Sequence, residues 1–131
     1  MKKILVPLFS LIISFNAYGV WKDVTQVQAN DNVYTFYVDF DSIKTNGNVY
    51  YWGLRDALKP DQFGDLSLKF LKEVHCNTPL KSRFLSRLYY TQPMDKGSTS
   101  TENNKPSEWI FLPPESGGEE QANIVCNYAN Q

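Results

Sequence analysis

Leu66-Ser-Leu-Lys-Phe-Leu-Lys-Glu-Val-His-Cys76 is the stretch that best indicates the fold. Its apolar residues recur at every second position and share one face, which predicts a half-buried β-strand. Lys72 is the one interruption of that apolar set. The stretch ends at Cys76, and the chain has one other cysteine, Cys126, close to its end in a segment with helical spacing. A bond between the two cysteines would tie a late helix to a central strand.

The N-terminal residues indicate the compartment. A basic head, Met1-Lys2-Lys3, precedes an apolar core from Ile4 to Phe15 and a small-residue cleavage signal, Ala17-Tyr18-Gly19. The core is too short to span a bilayer comfortably, which favours a cleaved signal peptide at residues 1–19 over a permanent membrane anchor. Export places both cysteines in an oxidising space, where two cysteines predict one disulfide, Cys76–Cys126.

Cleavage leaves residues 20–131, enough for one domain with a modest core. Eleven Lys and Arg residues then face fourteen Asp and Glu residues, a net charge of −3. This balance argues against a nucleic-acid-binding protein. No further apolar segment of spanning length follows, so no transmembrane segment is expected after cleavage.

Alternation and turn chemistry predict the remaining elements. Strands are expected at residues 21–27, 33–39, 49–58, 66–76, 81–90 and 108–112. A single helical turn is expected at residues 39–43, and the Asn-Gly pair within residues 45–48 predicts a tight reversal. Residues 91–107 are mostly Gly, Ser, Thr, Asn, Lys and Pro, a composition that predicts a mobile loop.

The C-terminal segment has the pattern of a capped helix. Ser116-Gly-Gly-Glu119 has the spacing of a capping box. Ala122, Val125, Cys126 and Ala129 then recur at helical spacing, which turns Cys126 inward. The predicted fold is therefore α+β, mainly β: an antiparallel sheet of five to six strands with one C-terminal helix tethered by the disulfide.

Several of these segments, taken in order, resemble one known family. They are the early Trp21, the run Tyr37–Ile43, the strand with Tyr51–Asp56, the Ser67-x-Lys69 strand ending at Cys76, the arginine strand, the Trp109 strand leading to Pro113-Pro-Glu-Ser116, and Val125-Cys126. Their order and spacing resemble the surface-adhesin protein E family over nearly all of residues 20–131. The resemblance implies a sheet with a disulfide-held helix, and a lipoprotein on the surface of a Gram-negative bacterium that binds host proteins such as laminin, vitronectin and plasminogen.

The chain departs from that pattern at one point. No cysteine follows the predicted cleavage point, so lipid attachment at Val20 is not expected. Display on the cell surface, residence in the periplasm and secretion all stay open. The favoured function is a non-catalytic, adhesin-like binding module, and the alternative is a periplasmic accessory protein of the cell envelope.

Catalytic and metal sites have weaker support in the sequence. His75 is the only histidine, and a Cys–His nucleophile needs a free thiolate, which a disulfide removes. A zinc site would need three or four His or Cys ligands. Asp39, Asp41, Asp61 and Asp65 do not fit a calcium-loop pattern and predict helix capping and turns instead. No cofactor is expected, and a hydrolase or hydrolase inhibitor is the less favoured class.

Two surfaces are candidates for binding. Lys81, Arg83 and Arg87, with Tyr89, are predicted to share one face of the strand at residues 81–90. Such a stripe suits an acidic protein segment or a sulfated polysaccharide, and its alternative is a solvated face balanced by Glu73.

The second candidate surface is aromatic. Tyr37 and Tyr51 are expected to lie exposed together, which favours a homodimer.

Overall fold

The computed structural model describes residues 20–131, and the predicted signal peptide lies outside that part of the chain. The described chain forms an antiparallel sheet and a C-terminal helix. The strands are β1 (Trp21–Ala29), β2 (Asn32–Asp39), β3 (Lys44–Asn46), β4 (Asn48–Ala57), β5 (Ser67–His75), β6 (Lys81–Tyr90), β7 (Thr99–Asn103) and β8 (Ile110–Phe111), and the helix is α1 (Gly117–Ala129). A 3-10 turn at Phe40–Ser42 follows β2, as the sequence predicts. The predicted fold class is confirmed.

The sheet has the strand order β1-β2-β4-β5-β6-β7, and every pair is antiparallel. The two short strands lengthen the neighbouring ladders: β3 pairs with β4 beyond the end of β2, and β8 pairs with β6 beyond the end of β7. β7 forms within residues 91–107, the segment predicted to be a mobile loop, and pairs with β6. The mobility of that segment stays a prediction.

The sheet has two sides, which we call the helix side and the open side. Val38, Tyr51 and Phe70 lie beneath α1 on the helix side and are at most 1% exposed. The Phe70 ring meets the Tyr51 ring edge-on, with the centroids 6.0 Å apart. The main core therefore lies between the sheet and Val125 of the helix, which is fully buried.

The burial of Tyr51 contradicts the expectation that Tyr37 and Tyr51 are both exposed. Tyr51 lies under α1, where loss of contact with water raises the pKa of its phenol. Tyr37 pairs with Leu54, which is outside the core cluster under the helix, so Tyr37 lies on the open side. The prediction that Tyr37 and Tyr51 are exposed together is wrong, because the residue opposite Trp52 in β4 meets the helix rather than solvent. A homodimer stays a prediction.

The helix begins and is attached as the sequence predicts. The Ser116 hydroxyl accepts a hydrogen bond from the backbone N–H of Glu119 at 3.1 Å, and the Glu119 carboxylate accepts one from the backbone N–H of Glu115 at 2.8 Å. A disulfide joins Cys76, just beyond β5, to Cys126 in α1, with the Cα atoms 6.0 Å apart. This bond is confirmed. No helix within residues 20–131 is long and apolar enough to cross a bilayer.

Candidate functional site

An irregularity in the β5–β6 ladder divides the predicted binding residues between the two sides of the sheet. The Cα partners are His75↔Lys81, Glu73↔Arg83, Lys72↔Phe84, Leu71↔Ser86, Phe70↔Arg87 and Leu68↔Tyr89. Leu85 has no partner, so the alternation inverts there. Lys81 and Arg83 therefore lie on the open side, whereas Arg87 and Tyr89 lie on the helix side. The expectation that all four share one face is wrong, because it assumed a regular strand.

Lys81 and Arg83 instead join aromatic residues around β8. The Arg83 guanidinium carbon lies 4.7 Å from the centroid of the Trp109 ring, and the Lys81 ammonium lies 5.1 Å from the same centroid. The Lys81 ammonium is also 5.9 Å from the ring centroid of Phe111, which is 63% exposed. We call these four residues, Lys81, Arg83, Trp109 and Phe111, the β6–β8 patch. Cations held against aromatic faces lose little conformational freedom on binding a partner.

The sequence did not identify Trp109 and Phe111, the aromatic residues of this patch, as candidate binding residues. Trp109 immediately precedes β8 and Phe111 lies in it, and the Lys81 ammonium lies near both rings. Phe111 pairs directly with Lys81. The sequence does contain two pairs with the same spacing of two residues, the cationic pair Lys81-x-Arg83 and the aromatic pair Trp109-x-Phe111. Bringing them together required knowledge that β8 pairs with β6 across a long connection, which local patterns do not supply.

A buried carboxylate anchors the patch to the sheet. Glu73 is 6% exposed, and its carboxylate accepts hydrogen bonds from Arg83 Nε at 2.8 Å, Asn48 Nδ2 at 2.9 Å and the Tyr50 hydroxyl at 3.0 Å. Burial raises the pKa of the Glu73 carboxyl, but these hydrogen bonds and the charge of Arg83 outweigh it and lower the pKa overall. Glu73 thus fixes the position of Arg83 and is held as a carboxylate.

The other polar candidates have structural partners. His75 Nδ1 lies 3.3 Å from Asn48 Oδ1. The Asp39 carboxylate caps the 3-10 turn by accepting from the backbone N–H of Asp41 at 3.2 Å. Asp61 Oδ1 accepts from two backbone N–H groups of its own loop, those of Phe63 and Asp65, each at 2.9 Å. Within residues 20–131 there is no group of three His, Cys, Asp or Glu side chains placed to hold a metal ion.

Comparisons with known proteins show which family and fold this chain resembles. The model of the surface-adhesin protein E family matches residues 21–127. Among solved structures, crystal form II of Haemophilus influenzae protein E superposes with a TM-score of 0.57 at 16% identity, covering 73% of this chain and 83% of that chain. A second structure of Haemophilus influenzae protein E gives a TM-score of 0.56 at 16% identity, covering 83% of this chain and 87% of the other. These two show the shared fold.

A search of curated proteins gave no match. The family match runs from the first residue of β1 to the last turn of α1, and so includes every strand, most of the helix and both bonded cysteines. This chain belongs to the surface-adhesin protein E family.

Proposed function

We propose that this protein is an exported, non-catalytic binding module that attaches to a host or extracellular-matrix protein through the β6–β8 patch. The observation that carries the proposal is the pair of cations, Lys81 and Arg83, held against the Trp109 ring beside an exposed Phe111. Trp and Arg are enriched among the residues that dominate protein–protein binding energy. Laminin, vitronectin and plasminogen are the candidates that the family resemblance implies.

The chemistry of the patch favours a protein partner over a sulfated polysaccharide. Phe111 and its neighbour Ile110 are 63% and 52% exposed, and a protein ligand would bury their apolar surface. Residues 20–131 carry a net charge of −3, which opposes the approach of a long polyanion. An acidic segment of a protein can pair with Lys81 while its apolar side chains cover the aromatic residues.

The binding role also agrees with how the ionisable groups of the patch are used. The Glu73 carboxylate accepts three hydrogen bonds, so it is poorly placed to act as a general base. Both cysteine sulfurs are in the disulfide. These features argue against the hydrolase alternative and favour a rigid recognition surface.

Binding to immobilised laminin, vitronectin and plasminogen tests the proposal. We expect the double variant Lys81→Gln/Phe111→Ser to bind about tenfold or more weakly, because loss of an interface anchor typically costs about 1–2 kcal/mol. The matched control is Arg87→Gln, which removes one charge from the same strand on the helix side, and we expect it to bind like the wild type. Equal weakening by both variants, or no binding of any of the three proteins, would contradict the proposal.

Location needs a separate measurement. Protease treatment of intact cells should remove the protein if it is displayed on the surface. Full protection in intact cells, with digestion only after the outer membrane is opened, would favour a periplasmic accessory protein instead.

A further inference from the structure

A groove on the helix side of the sheet lies away from the β6–β8 patch. It begins at the N-terminus of α1 as a cavity of ≈ 280 Å³ lined by Lys72, Gln121 and aromatic side chains. A wider cavity of ≈ 720 Å³ continues towards the loop that precedes β5. Tyr34 and Arg55 line both cavities, so the two adjoin. We call this the helix-side groove; small-molecule sites in proteins occupy about 300–1,000 Å³.

Two cations without carboxylate partners, Arg55 and Lys72, line the groove, and a third, Arg87, lies beside it on the next strand and contacts the Phe84 ring that also lines the groove. Arg55, Lys72 and Arg87 come from the neighbouring strands β4, β5 and β6, and their positions share the helix side of the sheet. None of the three has a carboxylate oxygen within 4 Å among residues 20–131, where the ion pairs formed are Lys59–Asp31 and Arg83–Glu73. Two of the cations, Arg55 and Arg87, also bury an Nε–H that donates to no acceptor in the described chain.

Aromatic rings take the place of the missing counter-charges. The Arg55 guanidinium carbon lies 4.9 Å from the centroid of the Tyr34 ring. The Lys72 ammonium lies 5.0 Å and the Arg87 guanidinium carbon 5.2 Å from the centroid of the Phe84 ring. A ring face attracts a cation only weakly compared with an anion at contact distance, so the positive charge of the groove is not neutralised.

The acidic residues that line the wide end, Asp61 and Asp65, form no ion pair with the cations. Asp61 accepts two backbone hydrogen bonds within its own loop. Asp65 is 5% exposed, and its carboxylate accepts a hydrogen bond from the Ser100 hydroxyl. Both carboxylates are therefore engaged with the loop and with β7, and neither forms an ion pair with Arg55.

An independent sign of a missing ligand comes from the helix. Gln121 lines the narrow end of the groove, is 3% exposed and has a buried Oε1 that accepts no hydrogen bond within residues 20–131. A buried amide oxygen without a donor costs about 1–3 kcal/mol. A hydroxyl or N–H group of a bound molecule would supply the donor that Gln121 Oε1 lacks.

We infer that the helix-side groove binds a small amphipathic carboxylate, one that joins an acid group to an apolar ring or chain carrying a hydroxyl or N–H. The carboxylate would lie near Arg55 and Lys72, the apolar body would lie against Tyr34 and the neighbouring rings, and the donor would reach Gln121. Burial lowers the pKa of Lys72 to about 8, and an anion beside the ammonium would offset that loss of hydration.

Nuclear magnetic resonance titration of the disulfide-intact protein tests this with indole-3-acetate as the probe. It supplies a carboxylate, an apolar ring and an N–H. We expect saturable shifts that centre on the backbone amides of Tyr34, Arg55, Lys72 and Gln121. Indole-3-acetamide lacks the negative charge. We expect it to bind at least about tenfold more weakly, because the charge pair between the ligand carboxylate and the cations of the groove is lost. No saturable shift, or equal binding of the two compounds, would overturn the inference without the need for any variant.

Two variants of β5 locate the site. Lys72→Met removes the ammonium from the groove and should weaken binding of indole-3-acetate by about tenfold or more. Lys69→Met is the matched control: its ammonium lies 5.1 Å from the Trp52 ring on the open side of the same strand, and binding should not change. Equal affinities of the two variants would also overturn the inference.

Discussion

Lys72 lies at a core position of β5, and its charge should make stability depend on pH. Burial lowers its pKa from 10.5 to about 8 in the folded protein, so above pH 8 the unfolded chain binds more protons than the folded one. Stability must then rise with pH between about 8 and 10.5. We expect the free energy of unfolding in urea to increase by about 1 kcal/mol from pH 7 to pH 9, a range that stays below tyrosine ionisation. Lys72→Met should be more stable than the wild type at pH 7 and lack the increase. The same increase in the variant would contradict the assignment to Lys72.

The sequence identified Lys72 as the one break in an apolar face, and the structure explains the exception. Its alkyl stem continues the apolar row while its ammonium lies over the rings of Phe70 and Phe84. The residue type and position are visible in the pattern. The two rings are not, because Phe84 reaches Lys72 only through the pairing of β5 with β6. The sequence can therefore show that a residue is unusual, whereas identifying its neighbours requires the register between the paired strands.

At the scale of elements, the sequence predicted most strands and missed the irregularity in β6. Ends and turns followed local chemistry, as in the capped start of α1 and the 3-10 turn after β2. The unpaired Leu85 has no such signal, since Phe84-Leu85 reads as ordinary apolar strand sequence. This one residue moved Arg87 from the predicted stripe to the helix side. Local patterns indicated the longer strands but not β3 or β7, and the faces that the strands occupy depend on the partner strand.

Gly53 shows how one strand makes room for the next. A Cβ atom at this position would lie 2.4 Å from two atoms of the Phe70 ring, so the ring packs directly over the β4 backbone. We expect Gly53→Ala to lower the free energy of unfolding by about 1–3 kcal/mol through overpacking. The cost should fall in a Phe70→Leu background, where the ring is gone. Chemical denaturation of the four proteins of this double-mutant cycle measures the coupling. An equal cost in both backgrounds would show that the ring is not the cause.

At the scale of the molecule, the disulfide, an apolar face and a hydrogen bond from the Thr25 hydroxyl to Glu120 hold the helix on the sheet. The cysteine pairing and the position of the helix could both be inferred from the sequence, because two cysteines in an exported chain leave one possible bond. The groove and the β6–β8 patch could not be inferred. Each draws residues from at least two elements joined by non-local pairing, and the patch depends on the pairing of β6 with β8, which begins at Ile110 after a long connection.

The disulfide should therefore account for a large share of the total stability. It closes a loop of 50 residues between β5 and α1, and the chain-entropy model assigns such a loop about 4 kcal/mol. Small domains have a total of about 5–15 kcal/mol. Without the bond, α1 is held by its apolar face, in which Ala122 and Val125 cover Tyr51 and its neighbours, and by the hydrogen bond that the Thr25 hydroxyl donates to Glu120. We expect Cys76→Ser/Cys126→Ser to lose about 4 kcal/mol in urea unfolding and to become sensitive to proteolysis within α1. The wild type treated with reductant is the control and should lose a similar amount. A double variant within about 1 kcal/mol of the oxidised protein would mean that non-covalent contacts alone hold the helix on the sheet.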